Sequence, residues 1–184
     1  VDSSGNAYVT GIFNGTANFD SINLVSSGDW NIFVAKLSST GSWQWAVKAG
    51  GLQSDYGHSM TVDSSGNAYV TGYFRKTANF GNTSLVSNGE IDLFVAKLSS
   101  TGSWQWAVKA GGLQREIGYS IIVDSSDNVY VTGEFEATAT FGTTDLVSSG
   151  DWNIFVAKLS STGSWQWAVK AGGPNSSAGV DISV

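Results

Sequence analysis

A chain of 184 residues that is 41% hydrophobic and 12% aromatic carries enough apolar surface for a packed core, which excludes a disordered segment. Its formal charge of −6 and its nine scattered Lys and Arg residues exclude the clustered basic patch that a nucleic-acid backbone requires. The lack of Cys excludes disulfides and thiolate chemistry, and no apolar run reaches the ~18 residues of a membrane-inserted span.

In chain order, the first stretch is Val1-Asp2-Ser3-Ser4-Gly5-Asn6-Ala7-Tyr8-Val9-Thr10-Gly11. It recurs from Val62 and, with Asp127 for Gly and Val129 for Ala, from Val123. Val184 would open a further copy, and the starts Val1, Val62, Val123 and Val184 are evenly spaced. Three periods without insertion define a repeat architecture with units 1–61, 62–122 and 123–183. Beginning at Val1 inside a strand pattern, the sequence reads as a processed product or a window cut from a longer chain.

The middle copy shows the elements of one unit most clearly. Gly57 to Val62 is a first strand, with counterparts at Gly118 to Val123 and Gly179 to Val184. Asp63-Ser64-Ser65-Gly66-Asn67 is a tight turn in which Gly66 takes positive φ, and Asp127 can do the same in the third copy. Ala68 to Phe74 is a second strand, followed by the variable segment Arg75 to Glu90. Ile91 to Leu98 and Ser103 to Ala110 are the third and fourth strands. They lie in FVAKLSSTGSWQWAVKAGG, which stands unchanged at Phe33–Gly51, Phe94–Gly112 and Phe155–Gly173. Within it Trp43, Trp45, Val47 and Ala49 alternate with Gln44, Ala46 and Lys48, the period of two that a strand requires.

The expected fold is therefore all-β: a repeat protein of four-stranded antiparallel blades of the β-propeller type, each blade burying its faces only against its neighbours. A parallel β-helix fits less well, because its coils are shorter and lack hairpin turns. Three repeats do not close a ring of four to eight blades. The chain is either part of a longer one or closes with other chains, as two chains would to give six blades. On this reading the partners are neighbouring repeats or identical chains, joined through the terminal strands Val1–Phe13 and Gly179–Val184, since an unpaired edge invites pairing.

These elements resemble the SBBP-type bacterial β-propeller repeats, which carry a VDSSGNVYVTG-like stretch, a G-x-D-x-F-V-A-K stretch and a W-A-K-x-A-G-G stretch. The resemblance covers the chain three times over. It implies a propeller in an extracellular or cell-surface protein of bacterial type, and no common enzymatic activity. One departure concerns the Asp before F-V-A-K: it is present as Asp92 but is Asn31 and Asn153 in the other copies, with Asp29 and Asp151 two residues earlier.

Candidate chemistry is sparse. Asp2, Asp63 and Asp124 open turns that look superficially like a calcium loop but lack its distal Glu, so a turn-forming role is expected. The candidate ligand-binding set is Asp29 with Trp30, Glu90 with Asp92, and Asp151 with Trp152; it could hold Ca²⁺ or the hydroxyls of a glycan stacked on Trp, or could be ordinary surface charge near Lys48, Lys109 and Lys170. The WQW pairs are expected to be core. His58 stands where the other copies have Tyr119 and Val180, which argues against a catalytic or metal role, and the three Asn-x-Ser/Thr sequons at Asn14, Asn82 and Asn175 are expected to be ordinary turns.

Polar groups in triplicate do not make the unique asymmetric set that catalysis needs, so no enzyme, no cofactor and no metal centre are expected. The expected function is a non-enzymatic extracellular propeller module serving as scaffold, surface fibre or adhesin; the alternative is a carbohydrate- or Ca²⁺-binding propeller with one site per blade.

Overall fold

The structure is a computed structural model that describes residues Val1–Val184. It consists of fifteen strands and no helix. The first unit holds β1 (Ala7–Phe13), β2 (Thr16–Phe19), β3 (Ile22–Val25), β4 (Asn31–Leu37) and β5 (Trp43–Ala49). The second blade, whose first strand comes from the end of the preceding unit, holds β6 (Tyr56–Val62), β7 (Ala68–Phe74), β8 (Thr77–Phe80), β9 (Thr83–Val86), β10 (Asp92–Leu98) and β11 (Trp104–Gly112). The third holds β12 (Glu116–Val123), β13 (Val129–Phe141), β14 (Thr144–Leu159) and β15 (Trp165–Ala171).

Each blade is an antiparallel meander, because tight turns join strands that follow one another in sequence. In blade 2 the order is β6, β7, β10, β11; in blade 3 it is β12, β13, β14, β15. Blade 1 is the three-stranded sheet β1, β4, β5, and the inner edge of β1 is unpaired. The Asp-Ser-Ser-Gly-Asn turns form as the sequence predicts. Gly5 and Gly66 have φ of 76° and Asp127 has φ of 60°, so Asp127 does occupy the left-handed region in place of Gly.

The variable segment is more ordered than its composition suggests. Thr77–Phe80 and Thr83–Val86 pair as a hairpin, as do Thr16–Phe19 and Ile22–Val25. In the third unit the same residues extend β13 and β14. The hairpin carries one Phe back onto the blade: Phe80 lies 4.9 Å from Phe94 and meets Trp104 edge-on at 5.3 Å, and Phe141 treats Phe155 and Trp165 alike.

The core lies between blades. One cluster of 15 buried residues joins Tyr69, Leu93 and Val95 of blade 2 to Val131, Phe155 and Leu159 of blade 3, and a second of 12 joins Ile32 and Val34 to Val70, Phe94 and Leu98. Only a cluster of five belongs to blade 1 alone, so the apolar faces are covered chiefly by a sibling sheet.

One expected strand is missing. Gly179–Val184 belongs to no ladder, although it lies where a first strand should: Gly179 N donates to Gly133 O at 3.1 Å and Ser120 Oγ donates to Asp181 Oδ1 at 2.7 Å. A strand is defined by its pairing, and no second strand stands beside this segment.

Candidate functional site

Asp29, Trp30 and Glu90 sit on the loop that enters the third strand of their blades, Asp92 opens β10, and Asp151 and Trp152 already lie within β14; in each blade the linker that leaves it fastens this region. Asp29 N donates to Leu52 O and Asp55 N to Trp30 O in the first unit; Ile91 N donates to Gln114 O and Glu116 N to Ile91 O in the second; Ser177 N donates to Trp152 O in the third. Gly28, Gly89 and Gly150 allow this approach, since a Cβ on any of them would overlap the linker backbone.

Asp29 and Glu90 are exposed on this loop, and Asp151 is exposed in β14. Trp30 is 42% exposed, and Trp152 is partly covered by the Arg115 guanidinium, 5.0 Å from its ring. The structure does not draw the six candidates into one site; it keeps one set per blade. None of the four surface clefts is lined by them.

Asp92 differs from the other five because it is fully buried. Its equivalents Asn31 and Asn153 explain the position. The Asn31 Oδ1 accepts from Ser27 N, and its Nδ2 donates to Gly51 O at 2.9 Å and Trp30 O at 3.2 Å; Asn153 makes the same three bonds. This amide holds the loop to the end of the fourth strand. A carboxylate has no proton for a carbonyl, so Asp92 keeps only the bond from Asn88 N and draws in Lys109, whose Nζ lies 3.0 Å from Oδ2. Lys48 and Lys170 instead donate to backbone carbonyls and to Ser27 and Ser149.

Asp92 also faces Glu116, which sequence reasoning did not single out. A Cβ on Gly111 would meet both carboxyls, at 2.6 Å from Asp92 Cγ and 2.7 Å from Glu116 Oε2. Glu116 is fully buried; Oε2 accepts from Gly112 N at 3.0 Å, while Oε1 has no partner. Burial, aided by the nearby Asp92, pushes its carboxyl up to about 8. Burial also raises Asp92, against the pull of Lys109. The first unit has Asp55 here, raised to about 6 by burial and bonded by Gly51 N and Arg75 N. No motif marks these linker positions, which read Asp55, Glu116 and Ser177.

The turn aspartates behave as turn formers. Asp63 Oδ1 accepts from Ser65 N and Asn67 N, and its Oδ2 accepts from Asn67 Nδ2 and the Tyr69 hydroxyl. Asp2 and Asp124 repeat the pattern, and hydrogen bonds from the Asn128 side chain and the turn backbone hold Asp124 down at about 2. Their lone pairs are filled by the protein itself.

Four of the WQW tryptophans, Trp45, Trp104, Trp106 and Trp165, pack partly buried against the core clusters, as expected, and also fasten the joints. Trp45 Nε1 donates across to Ser100 O of blade 2 at 3.0 Å, and Trp104 Nε1 donates back to Lys48 O at 3.1 Å. The next joint repeats both bonds, Trp106 to Ser161 O and Trp165 to Lys109 O. The rings seat on turn glycines: Gly102 lies under Trp45 and Gly163 under Trp106, both at positive φ. The partners are 55 or 56 residues apart, an offset that a local pattern does not reveal. His58 stacks on Tyr119 at 5.5 Å, each the extra residue of a β-bulge in the first strand of its blade.

Comparison with known proteins agrees with this architecture. An uncharacterized WD repeat-containing protein of Acanthamoeba polyphaga mimivirus is 28% identical over a stretch covering 73% of this chain and 11% of that protein. The regulatory protein FlaEY of Caulobacter vibrioides is 25% identical over 76% of this chain and 15% of its own length. The chain thus spans only a small part of either relative. A family model described as SBBP, beta-propeller repeat, matches residues 44–73 and 105–134, each running from the WQW strand of one unit to the second strand of the next. The motifs and the stacked four-stranded blades thus converge with the match of the SBBP beta-propeller repeat model at these two segments.

Proposed function

We propose that this propeller module is a non-enzymatic scaffold of an extracellular or cell-surface protein of bacterial type, acting in a surface fibre or an adhesin. One observation carries the reading: the turn aspartates, the joint tryptophans and the loop asparagines are engaged in holding turns and joints. The turn Asp residues are filled by their own turns, the Trp N–H groups by the next blade, and Asn31 and Asn153 by the linker. The extracellular placement rests on the resemblance to repeats of secreted and surface bacterial proteins. Calorimetric titration with Ca²⁺ and a glycan array test the proposal, and silence in both is the expected result.

A second reading keeps a glycan or Ca²⁺ site on each blade. It is favoured by the open indole of Trp30 beside the exposed Asp29. Binding that disappears in Trp30→Ala and Trp152→Ala would establish it and overturn the scaffold reading.

A further inference from the structure

Most basic residues of the chain belong to the repeated pattern, as Lys36, Lys97 and Lys158 and as Lys48, Lys109 and Lys170. The protein holds each of them: Lys36, Lys97 and Lys109 in ion pairs, Lys48 and Lys170 on backbone carbonyls, Lys158 over the Tyr130 ring. The others are Arg75, Lys76 and Arg115. Arg75 stands where the other units have Asn14 and Glu136, and Arg115 where they have Ser54 and Ser176.

Rings that depart from the pattern gather beside these two arginines, in the joint between the complete blades 2 and 3. Tyr73 replaces Ile12 and Glu134, and Tyr56 replaces Ile117 and Ala178. Tyr56 faces Tyr73 in the register of β6 on β7, and their rings stack at 4.9 Å. His58 meets Tyr73 edge-on at 5.5 Å and stacks on Tyr119 of β12 at the same distance. His58 is exposed and the three tyrosines are half-buried. Arg75 follows β7 and Arg115 precedes β12, so the two flank the rings. Burial and the neighbouring Tyr56 raise the Tyr73 hydroxyl against the pull of Arg75 and Arg115, so both guanidiniums lie within electrostatic reach of this one ring.

Neither arginine is in an ion pair, and Arg115 Nε is buried without a hydrogen-bond partner. The carboxyls nearby are already engaged: Glu134 accepts from the Tyr119 hydroxyl at 2.8 Å, and Asp55 accepts from Gly51 N and Arg75 N. Blade stacking does not require this arrangement, since the first unit does without either arginine. Tyr and Arg dominate protein interfaces because a rigid ring gives large contact area at small entropic cost and a guanidinium fork matches a carboxylate. We propose that this end of the joint is a docking surface for an acidic peptide segment of a partner protein, its carboxylates held by Arg75 and Arg115 and its stems laid on Tyr73 and His58. Charge complementarity selects that partner: two uncommitted cations on a chain of formal charge −6 suit a few carboxylates, whereas a nucleic acid or an anionic membrane needs a wide basic field.

The surface gives the adhesin reading a class of partner and rests on that reading, but its test is separate from those with Ca²⁺ and glycans. Fluorescence anisotropy of a fluorescein-labelled hexaglutamate peptide with the whole chain should show saturable binding, and a hexaglutamine peptide should show none. The chain itself supplies substitutions that its fold accepts: Arg75→Asn, Arg115→Ser and Tyr73→Ile install what the first unit carries at Asn14, Ser54 and Ile12. Each arginine variant should weaken binding roughly tenfold or more, and Tyr73→Ile about fivefold, with the far-ultraviolet circular dichroism unchanged. Lys170→Gln, which removes an exposed charge outside the surface, should leave binding as it was.

No binding at millimolar peptide, equal binding of hexaglutamine, or a loss in Lys170→Gln as large as in the arginine variants overturns the docking surface. Displacement of hexaglutamate by an equal concentration of inorganic phosphate overturns the peptide assignment in favour of a small anion. All these results leave the scaffold reading standing. Glycan or Ca²⁺ binding by a chain that still takes hexaglutamate would instead sink the scaffold reading alone.

Discussion

Trp104 Nε1 lies 3.1 Å from the carbonyl oxygen of Lys48, to which it donates a hydrogen bond, and one unit later Trp165 makes the same bond to Lys109. An indole that reaches into the previous blade fixes the register of one sheet on the next. Trp104→Phe keeps an apolar ring but leaves the carbonyl unpartnered, and should cost about 1–2 kcal/mol. Trp104→Ala also removes the ring from Phe80 and should cost about 3–5 kcal/mol. Urea midpoints read both, and a Trp104→Phe protein as stable as the parent would show that the hydrogen bond adds nothing.

Stability should fall as pH rises from about 5 to about 8. Burial raises the Glu116 carboxyl from 4.5 to about 8, so the folded protein holds a proton that the unfolded chain has already released in this window. Its contribution is complete below the unfolded value and is lost as pH climbs through the folded one. Asp55, raised to about 6, adds the same sign over a narrower interval. Glu116→Gln keeps an acceptor for Gly112 N, offers an amide to Asp92 and should remove most of the slope. Melting temperatures of parent and variant across this range decide it, and parallel curves would exclude Glu116 as the source.

Acid acts through different groups. Asp124 is held at about 2 by its turn, so its contribution is present above 3.8 and is lost as pH falls toward 2. Asp124→Ala should therefore flatten the acid limb and leave the neutral limb untouched, as followed by tryptophan fluorescence.

Gly133 stands opposite the bulge at Tyr119, where a Cβ would overlap the Ile117 carbonyl and press on Phe155. Gly133→Ala should destabilise by about 2–3 kcal/mol, because two paired strands must move apart to admit one methyl group. A melting temperature equal to that of the parent would mean that the bulge yields freely.

Asp63 fills its turn with four hydrogen bonds and is nearly buried. Asp63→Ala leaves those donors without an acceptor and should cost about 2–3 kcal/mol, while Asp63→Asn should recover part of that through its remaining oxygen. Equal losses in chemical denaturation would make charge, expressed through Lys97 at 3.8 Å, the dominant effect instead.

The blade was legible because its information is local. Alternation in Trp43–Ala49 and the Asp63–Asn67 turn name their strands within a short window. The hairpin Thr77–Val86 was legible in principle from the Gly81-Asn82 pair between its strands, but each strand is only four residues long, too short for its alternation to stand out. Gly179–Val184 has the pattern of a strand and fails to be one because pairing is a property of two segments. The candidate residues were the least legible. Asp92 reads as a surface ligand beside Glu90, yet it is buried because it replaces an amide that locks a loop, and Glu116 reads as an ordinary linker acid until the fold brings it to Gly111.

The constant offset between donor and acceptor across each joint bears on how such a gene can change length. Excising the residues between two equivalent points, such as Gly51 and Gly112, would bring Trp45 to the same seat on the following unit that it now occupies on its neighbour. Recombination in phase would therefore leave no scar in the protein, and the number of units could drift while the chemistry of each seam stayed as it was.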